Sequence, residues 1–372
     1  MKTRAALLTE VPGRYTPTDL ELDEPRRGEL RIKMRAAGMC HSDAHFAHGT
    51  QTPPILPIVG GHEGAGIVDA IGPETYGFEE GDHVVFSFLP VCGRCWYCAK
   101  GMQNLCMLGA SIGTGARFHD PSSFRYSLDG QPVGQLAGLG VFSEYVTVHT
   151  ESAVKIDDSI PFEVACLTGC GVGTGWGAAV NSAGAGPGQV IIVMGIGGIG
   201  INAVQGAAHA GADVVIAVDP VAFKRASALE LGATDAFADI EEAADYARSL
   251  TNGQGADATI LTVGKLSGTN VGEGLESVRK GGTVVVTALG DTHSGSGDIN
   301  LHQLTLYQKR IQGSLFGAST PTADIPAQLE MYKRGTLKLD ELVTTKYSLE
   351  QVAEGYDDMA AGRNLRGVIV FD

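Results

Sequence analysis

The sequence predicts an α/β protein in which a β-rich domain precedes a doubly wound parallel sheet. Three observations carry this. A chain of 372 residues exceeds what one core ordinarily serves, so two domains are the natural expectation. The first 150 residues hold short strand-like pieces: Glu29 to Met34, Gly66 to Ala70, His83 to Ser87 and Phe142 to Val148. From about Val172 the texture changes to β-branched runs, VIIVMG, VVIAVD, ATILTVG and TVVVTALG, separated by Ala-rich helical stretches such as Ile201 to Ala210. The boundaries expected from this reading are 1–171 for the first domain, 172–315 for the parallel sheet and 316–372 for a tail returning to the first domain. That tail offers an amphipathic stretch, Ile325 to Arg334, and an apolar strand, Gly367 to Phe371. Met107 to Gly140, rich in Gly, Ser, Phe and Asp without periodicity, reads as an irregular excursion.

Composition excludes several functions. With 27 basic against 42 acidic residues, the net charge of −15 repels nucleic acid and anionic membranes. The longest apolar stretch, Val190 to Val204, is interrupted by glycines and falls short of the ~20 residues that span a bilayer. The N-terminus has a basic start but no sustained apolar core before Glu10 and Pro12, a poor export signal. The expectation is a cytoplasmic protein.

Of the 7 cysteines, Cys92, Cys95, Cys98 and Cys106 fall within fifteen residues. Four thiolates in one lobe are what a closed, tetrahedral structural zinc site requires, and glycines at 93, 101 and 109 let the chain fold around an ion. Four unrelated buried thiols or an iron–sulfur cluster would use the same residues. Cys40, His62 and Cys170 lie far apart, each flanked by glycine. Two cysteines and one histidine form one of the catalytic zinc sets, with a fourth position open to water or substrate. A buried thiol or a satisfied histidine is the plain alternative for each alone. Glu63 follows the histidine, where a carboxylate can support the metal site. Ser42 and His45 sit two and five residues past Cys40, spaced for a relay of the substrate hydroxyl proton; as ordinary loop residues they would need no such role. Cys166 reads as a core thiol.

The strand Val190 to Met194 runs into Gly195-Ile196-Gly197-Gly198-Ile199-Gly200 and then an Ala-rich helix. The next strand ends in Asp219, nineteen residues after Gly200. Strand, glycine loop, helix and acid together point to a dinucleotide site, with pyrophosphate at the helix N-terminus and the carboxylate on the 2′-hydroxyl of NAD. A 2′-phosphate would be repelled there. A glycine-rich turn in any α/β sheet is the competing reading.

Cys40-His41-Ser42-Asp43, Gly61-His62-Glu63, the four-cysteine lobe, Gly169-Cys170-Gly171 and Gly195 to Gly200 resemble the zinc-containing medium-chain alcohol dehydrogenases over nearly the whole chain. The resemblance implies a GroES-like catalytic domain, a Rossmann domain and a C-terminus returning to the catalytic part. It also implies two zinc ions and NAD, reversible oxidation of alcohols to aldehydes, and a homodimer or homotetramer. By resemblance Thr174, Lys224 and Arg366 would contact the coenzyme. So would His41, which takes a place often held by arginine in the animal enzymes. Thr75 departs from the small or branched apolar residue usual at the end of the zinc signature. Ser123-Phe124-Arg125-Tyr126, MGIGGIGINAVQGAAHAGA, AVDPVAFKR and LTLYQKRIQGSLFGA resemble the actinobacterial nicotinoprotein alcohol dehydrogenases. In that branch NAD stays bound and electrons leave for an artificial nitroso compound or another external redox acceptor. Three rivals remain: a zinc-free quinone reductase of the same fold, a thiol-cofactor-linked formaldehyde dehydrogenase, and a non-catalytic NAD-binding protein.

Overall fold

Five apolar residues, Val190–Met194, form the central strand of a parallel sheet, because the four from Val190 to Val193 are β-branched and both faces of the run are covered. The computed structural model describes residues 1–290 and 299–372. It divides into two compact units: Met1–Cys170 with Thr320–Asp372, and Gly171–Ser319.

In the second unit the described strands Asp235–Phe237, Val214–Val218, Val190–Met194, Ala256–Leu261, Val278–Val286 and Arg310–Gly313 lie side by side in that order, all parallel. In chain order this is 3-2-1-4-5-6, the dinucleotide-binding arrangement, with its switch point beside Val190–Met194. Ile192, Ile216 and Val218 pack with Ala243 and Ala247 of the Ile240–Leu250 helix. That helix starts where the Asp239 side chain accepts the Glu242 N–H, satisfying one of its orphan donors. The Gly200–His209 helix is buried from Gly200 to Ala207, and its small residues Ala203, Gly206 and Ala207 let it pack closely.

The first unit joins a small closed barrel to a larger sheet. The barrel comprises Lys2–Leu8, Thr16–Leu22, Tyr126–Leu128, Gln131–Gln135 and Ile58–Val59. In the sheet, Glu29–Gly38 is the spine. Leu30, Ile32, Met34 and Ala36 are fully buried, while Arg31, Lys33 and Arg35 alternate outward, the period of two that marks a strand with one face on a core. Glu63–Ile71, Tyr145–His149 and the C-terminal Arg366–Val370 all pair with this spine in antiparallel fashion. Val343–Tyr347 then adds in parallel to Arg366–Val370. The core between these strands holds Phe86, Phe142, Val146, Tyr347 and Phe371.

The 107–140 excursion is more ordered than its composition implies. It supplies the hairpin Tyr126–Leu128 and Gln131–Gln135, which closes the barrel. The reason lies in charge: Glu29, 3% exposed, receives the guanidinium groups of both Arg117 and Arg125 from the excursion, Arg125 at 2.9 Å. Arg125, itself fully buried, also donates to Gln135 Oε1 at 2.9 Å. Burial pushes the Glu29 carboxyl up, but the two arginines outweigh it and hold it below the ordinary carboxylate range. Its stabilising effect is therefore present above that range and lost as the pH falls through the lowered value.

Replacing Glu29 with Gln leaves two buried guanidinium groups without their anion. We expect a loss of about 3–5 kcal/mol in denaturant unfolding and a flatter acid limb in the stability–pH profile; an unchanged midpoint would show that the excursion is held otherwise.

Candidate active site

The Glu29–Gly38 strand ends at Cys40, which takes the N-cap position of the short helix His41–His48 in extended conformation. Its sulfur makes no capping bond and is free for other use. The helix places Asp43 in its first turn, fully buried, and the Asp43 carboxylate reaches across to the neighbouring 61–62 segment. There Oδ1 accepts the Gly61 N–H at 3.2 Å and lies 2.9 Å from His62 Nδ1. With Nδ1 engaged, the His62 lone pair is at Nε2, the tautomer of a metal-ligating imidazole backed by a carboxylate. Cys170 closes the group from the end of the Cys166–Gly169 turn.

Ligand atoms of Cys40, His62, Glu63 and Cys170 lie within 4.8 Å of one another, all buried. The structure thus brings together residues that the sequence spreads over 130 positions between 40 and 170. Glu63 pairs with the Arg366 guanidinium, which also donates to the Met39 carbonyl at 3.2 Å. Gly38 is glycine for this reason, since a Cβ there would stand 2.2 Å from Glu63 Oε2. Within the thiol pair, Cys40 is pulled down by the hydrogen bond from Cys170 while Cys170 is pushed up by the same contact and by burial. Burial pushes the His62 imidazole down, but Asp43 and Cys40 outweigh it and raise it. Two carboxylates and two thiols thus share a buried site with one guanidinium and one imidazole. A dication balances that excess of acids, and two sulfurs with one nitrogen suit zinc.

Ser42 and His45, three apart on the His41–His48 helix, share a face, and Ser42 Oγ lies 3.7 Å from Cys40 Sγ. His41, the first helical residue, is exposed. Cys166 is fully buried in the first unit, as a core thiol would be.

The second cysteine group is local. Cys92, Cys95, Cys98 and Cys106 present sulfurs within 4.8 Å of one another. Backbone N–H groups of Cys92, Cys95 and Cys98 point at the sulfurs of Cys106, Cys92 and Cys95, at 3.3, 3.3 and 3.5 Å. Such N–H contacts stabilise thiolate charge, and backbone bonds from Cys98 and Met107 pull the Cys95 thiol down to about 6. Four sulfurs converging without a disulfide fit a closed tetrahedral zinc site.

The coenzyme candidates divide between the units, with His41 and Arg366 in the first and Thr174, the glycine loop, Asp219 and Lys224 in the second. Gly195 has φ +97, and a Cβ at Gly200 would stand 1.9 Å from the Gly195 carbonyl oxygen, so the loop needs glycine to turn into its helix. Gly197 differs: a Cβ there would meet no described protein atom within 4 Å. Asp219 accepts the Ile196 N–H at 2.8 Å and the Val221 N–H at 2.9 Å, one on each oxygen, which leaves lone pairs for a ribose hydroxyl. Thr174 is buried, and Lys224 is half-buried on the Ala222–Glu230 helix.

A closed barrel with a long sheet, a parallel sheet in dinucleotide-binding order and two sulfur-rich ligand groups define a medium-chain dehydrogenase. Residues 26–158 match the family model of the alcohol dehydrogenase GroES-like domain, and residues 198–334 that of the zinc-binding dehydrogenases. The chain belongs to this family of zinc-binding, nicotinamide-dependent alcohol dehydrogenases and is an oxidoreductase that oxidises alcohols. It is 50% identical to the NDMA-dependent alcohol dehydrogenase of Amycolatopsis methanolica, with 100% of this chain and 99% of that protein aligned. It is 49% identical to alcohol dehydrogenase B of Mycobacterium tuberculosis, over 99% and 98% of the two chains. Among solved structures, benzyl alcohol dehydrogenase from Acinetobacter calcoaceticus superposes with a TM-score of 0.89 at 27% identity, covering 100% of both chains.

Sequence reasoning gave Asp43 no role, although it stands in the Cys40 motif. Its signal is a carboxylate three residues into a helix beside a ligand candidate, a pattern that acquires meaning only when His62 is seen opposite. Replacing Asp43 with Asn is expected to weaken retention of one zinc ion by about 10–100-fold in competition with a chelator. Equal retention in the variant would mean that the carboxylate does not orient the imidazole.

Proposed function

We propose that this chain is a zinc- and NAD-dependent alcohol dehydrogenase with a catalytic zinc on Cys40, His62 and Cys170 and a structural zinc on Cys92, Cys95, Cys98 and Cys106. The observation that carries the reading is the buried Cys40–His62–Cys170 group backed by Asp43. When bound, zinc supplies Lewis-acid polarisation of the alcohol oxygen and NAD accepts the hydride released from its carbon, leaving an aldehyde. The chain's own residues handle the proton. Ser42, beside Cys40, takes it from the alcohol hydroxyl, and His45, one helical turn further on, passes it to solvent. Glu63 and Arg366 neutralise one another within the site, so that neither charge is left buried alone.

NAD rather than NADP is supported by Asp219, whose carboxylate favours a ribose hydroxyl and repels a phosphate. Gly197, open above its Cα, is where pyrophosphate can approach the backbone. Thr174, Lys224, His41 and Arg366 complete the proposed coenzyme contacts. The identity to an NDMA-dependent enzyme supports a coenzyme that stays bound and is reoxidised in place by an external acceptor. Seven cysteines that divide into two ligand sets and one core thiol support a reducing, cytoplasmic setting. No helix among the described residues is long and apolar enough to cross a membrane. The edge strand Arg310–Gly313, exposed along its length, supports assembly as a dimer or tetramer.

Extensively dialysed protein mixed with a primary alcohol and no added coenzyme should develop a reduced-nicotinamide absorption band. A band only after adding NAD would instead indicate an exchanging coenzyme. Ser42→Ala should lower turnover by ~10²-fold or more while zinc content stays unchanged; full turnover in this variant would remove the relay.

A further inference from the structure

One group of ligand-type side chains takes no part in either sulfur-rich site. His119 comes from the 107–140 excursion, His149 ends the Tyr145–His149 strand, and Glu151 lies in the turn Thr150–Ser152 that follows. Their ligand atoms fall within 4.8 Å of one another. Both imidazoles address a single oxygen, Glu151 Oε2, with His119 Nε2 at 2.8 Å and His149 Nδ1 at 3.1 Å.

Hydrogen bonding alone does not satisfy this arrangement. His149 Nδ1 faces two partners at once, the Glu151 backbone N–H at 3.3 Å and Glu151 Oε2 at 3.1 Å, and a single ring nitrogen serves one of them as acceptor or the other as donor. With a lone pair turned to that N–H, the same atom has no hydrogen to offer the Glu151 carboxylate oxygen 3.1 Å away. Protonating Nδ1 would repair the contact with the carboxylate and spoil the one with the N–H. The other ring nitrogen, Nε2, lies against Gly28, where an added Cβ would come within 2.6 Å of it. A cation among His119 Nε2, His149 Nδ1 and Glu151 Oε2 removes the conflict. Two imidazoles and one carboxylate are the donor set of zinc, nickel or cobalt rather than of magnesium or calcium.

We propose that His119, His149 and Glu151 form a third divalent-cation site, filled by a borderline ion such as Zn²⁺ or Ni²⁺, which staples the 107–140 excursion to the main sheet of the first unit. Glu151 and His149 side chains are each 14% exposed and His119 is 47% exposed, so the site is built into the sheet on one side and open to an arriving ion on the other. The Glu151 carbonyl also accepts the Val91 N–H at 2.7 Å, next to Cys92, so an ion here would brace the root of the four-cysteine lobe as well.

The test is a calorimetric titration of the zinc-loaded, desalted enzyme with NiCl₂, with released zinc measured in the filtrate. The expected result is one Ni²⁺ bound per chain without zinc release. His119→Ala should weaken that binding by at least about tenfold, the loss that even an outer ligand partner brings, and Glu151→Gln should do the same. Nickel should also raise the melting temperature of the wild-type enzyme and leave that of His119→Ala unmoved. Neither variant touches the Cys40 group, so alcohol oxidation retained at the wild-type rate shows that each has folded. The proposal is overturned if nickel does not bind, if it binds only by displacing zinc, if His119→Ala binds it equally well, or if Mg²⁺ binds as tightly as Ni²⁺.

Discussion

Asp43 is a carboxylate with no exposed surface, and a buried negative charge is tolerable only where the surroundings answer it. Here they do so through the Gly61 N–H and the His62 ring, with the Tyr15 hydroxyl on the Asp43 backbone carbonyl at 3.0 Å. That one side chain therefore locks the start of the His41–His48 helix to the 61–62 turn and sets the direction in which the imidazole looks. Cys40, Ser42 and His45 ride on the same helix, so their placement follows from the same contact. Remove it, and Cys40, Ser42, His45 and His62 lose their common reference.

The first unit repeats this device at two other places. Glu29 gathers Arg117 and Arg125, and Glu63 gathers Arg366; each carboxylate comes from the central sheet and each arginine from a segment remote in sequence. Bare glycines make room for such contacts, as Gly38 does for Glu63. The second unit is organised otherwise. Its central strand Val190–Met194 is apolar on both faces, the adjoining Gly200–His209 helix carries small residues, and at the switch point Asp219 braces the glycine loop.

What the sequence made legible was whatever is written locally. The four-cysteine lobe, the strand–glycine–helix run and the Asp219 strand are each contiguous, and their spacing carries their chemistry. The Cys40, His62 and Cys170 motifs could be picked out singly by their glycine neighbours, and the family resemblance supplied the link between them. None of the five barrel strands is among the pieces singled out in the sequence; Tyr126–Leu128 and Gln131–Gln135 are only three and five residues long, and Arg125, just before the first, and Gln135, at the end of the second, are buried polar residues that run against the usual pattern. Asp43 escaped because its meaning is a contact across 19 positions, and His119 because its partners lie about thirty residues downstream on another strand.

The topology also sets an order of events during synthesis. Gly171–Ser319 is one uninterrupted stretch and can reach its final form as soon as it leaves the ribosome. The other unit must wait. Its spine strand Glu29–Gly38 is paired along one edge by Glu63–Ile71 and over the first half of the other by Tyr145–His149, but the Ala36–Gly38 end of that second edge is covered only when Arg366–Val370 slides in between it and Val343–Tyr347. The same arrival delivers Arg366 to Glu63, a partner 303 positions earlier in the chain. Closing this sheet and answering the buried Glu63 charge are therefore one event rather than two.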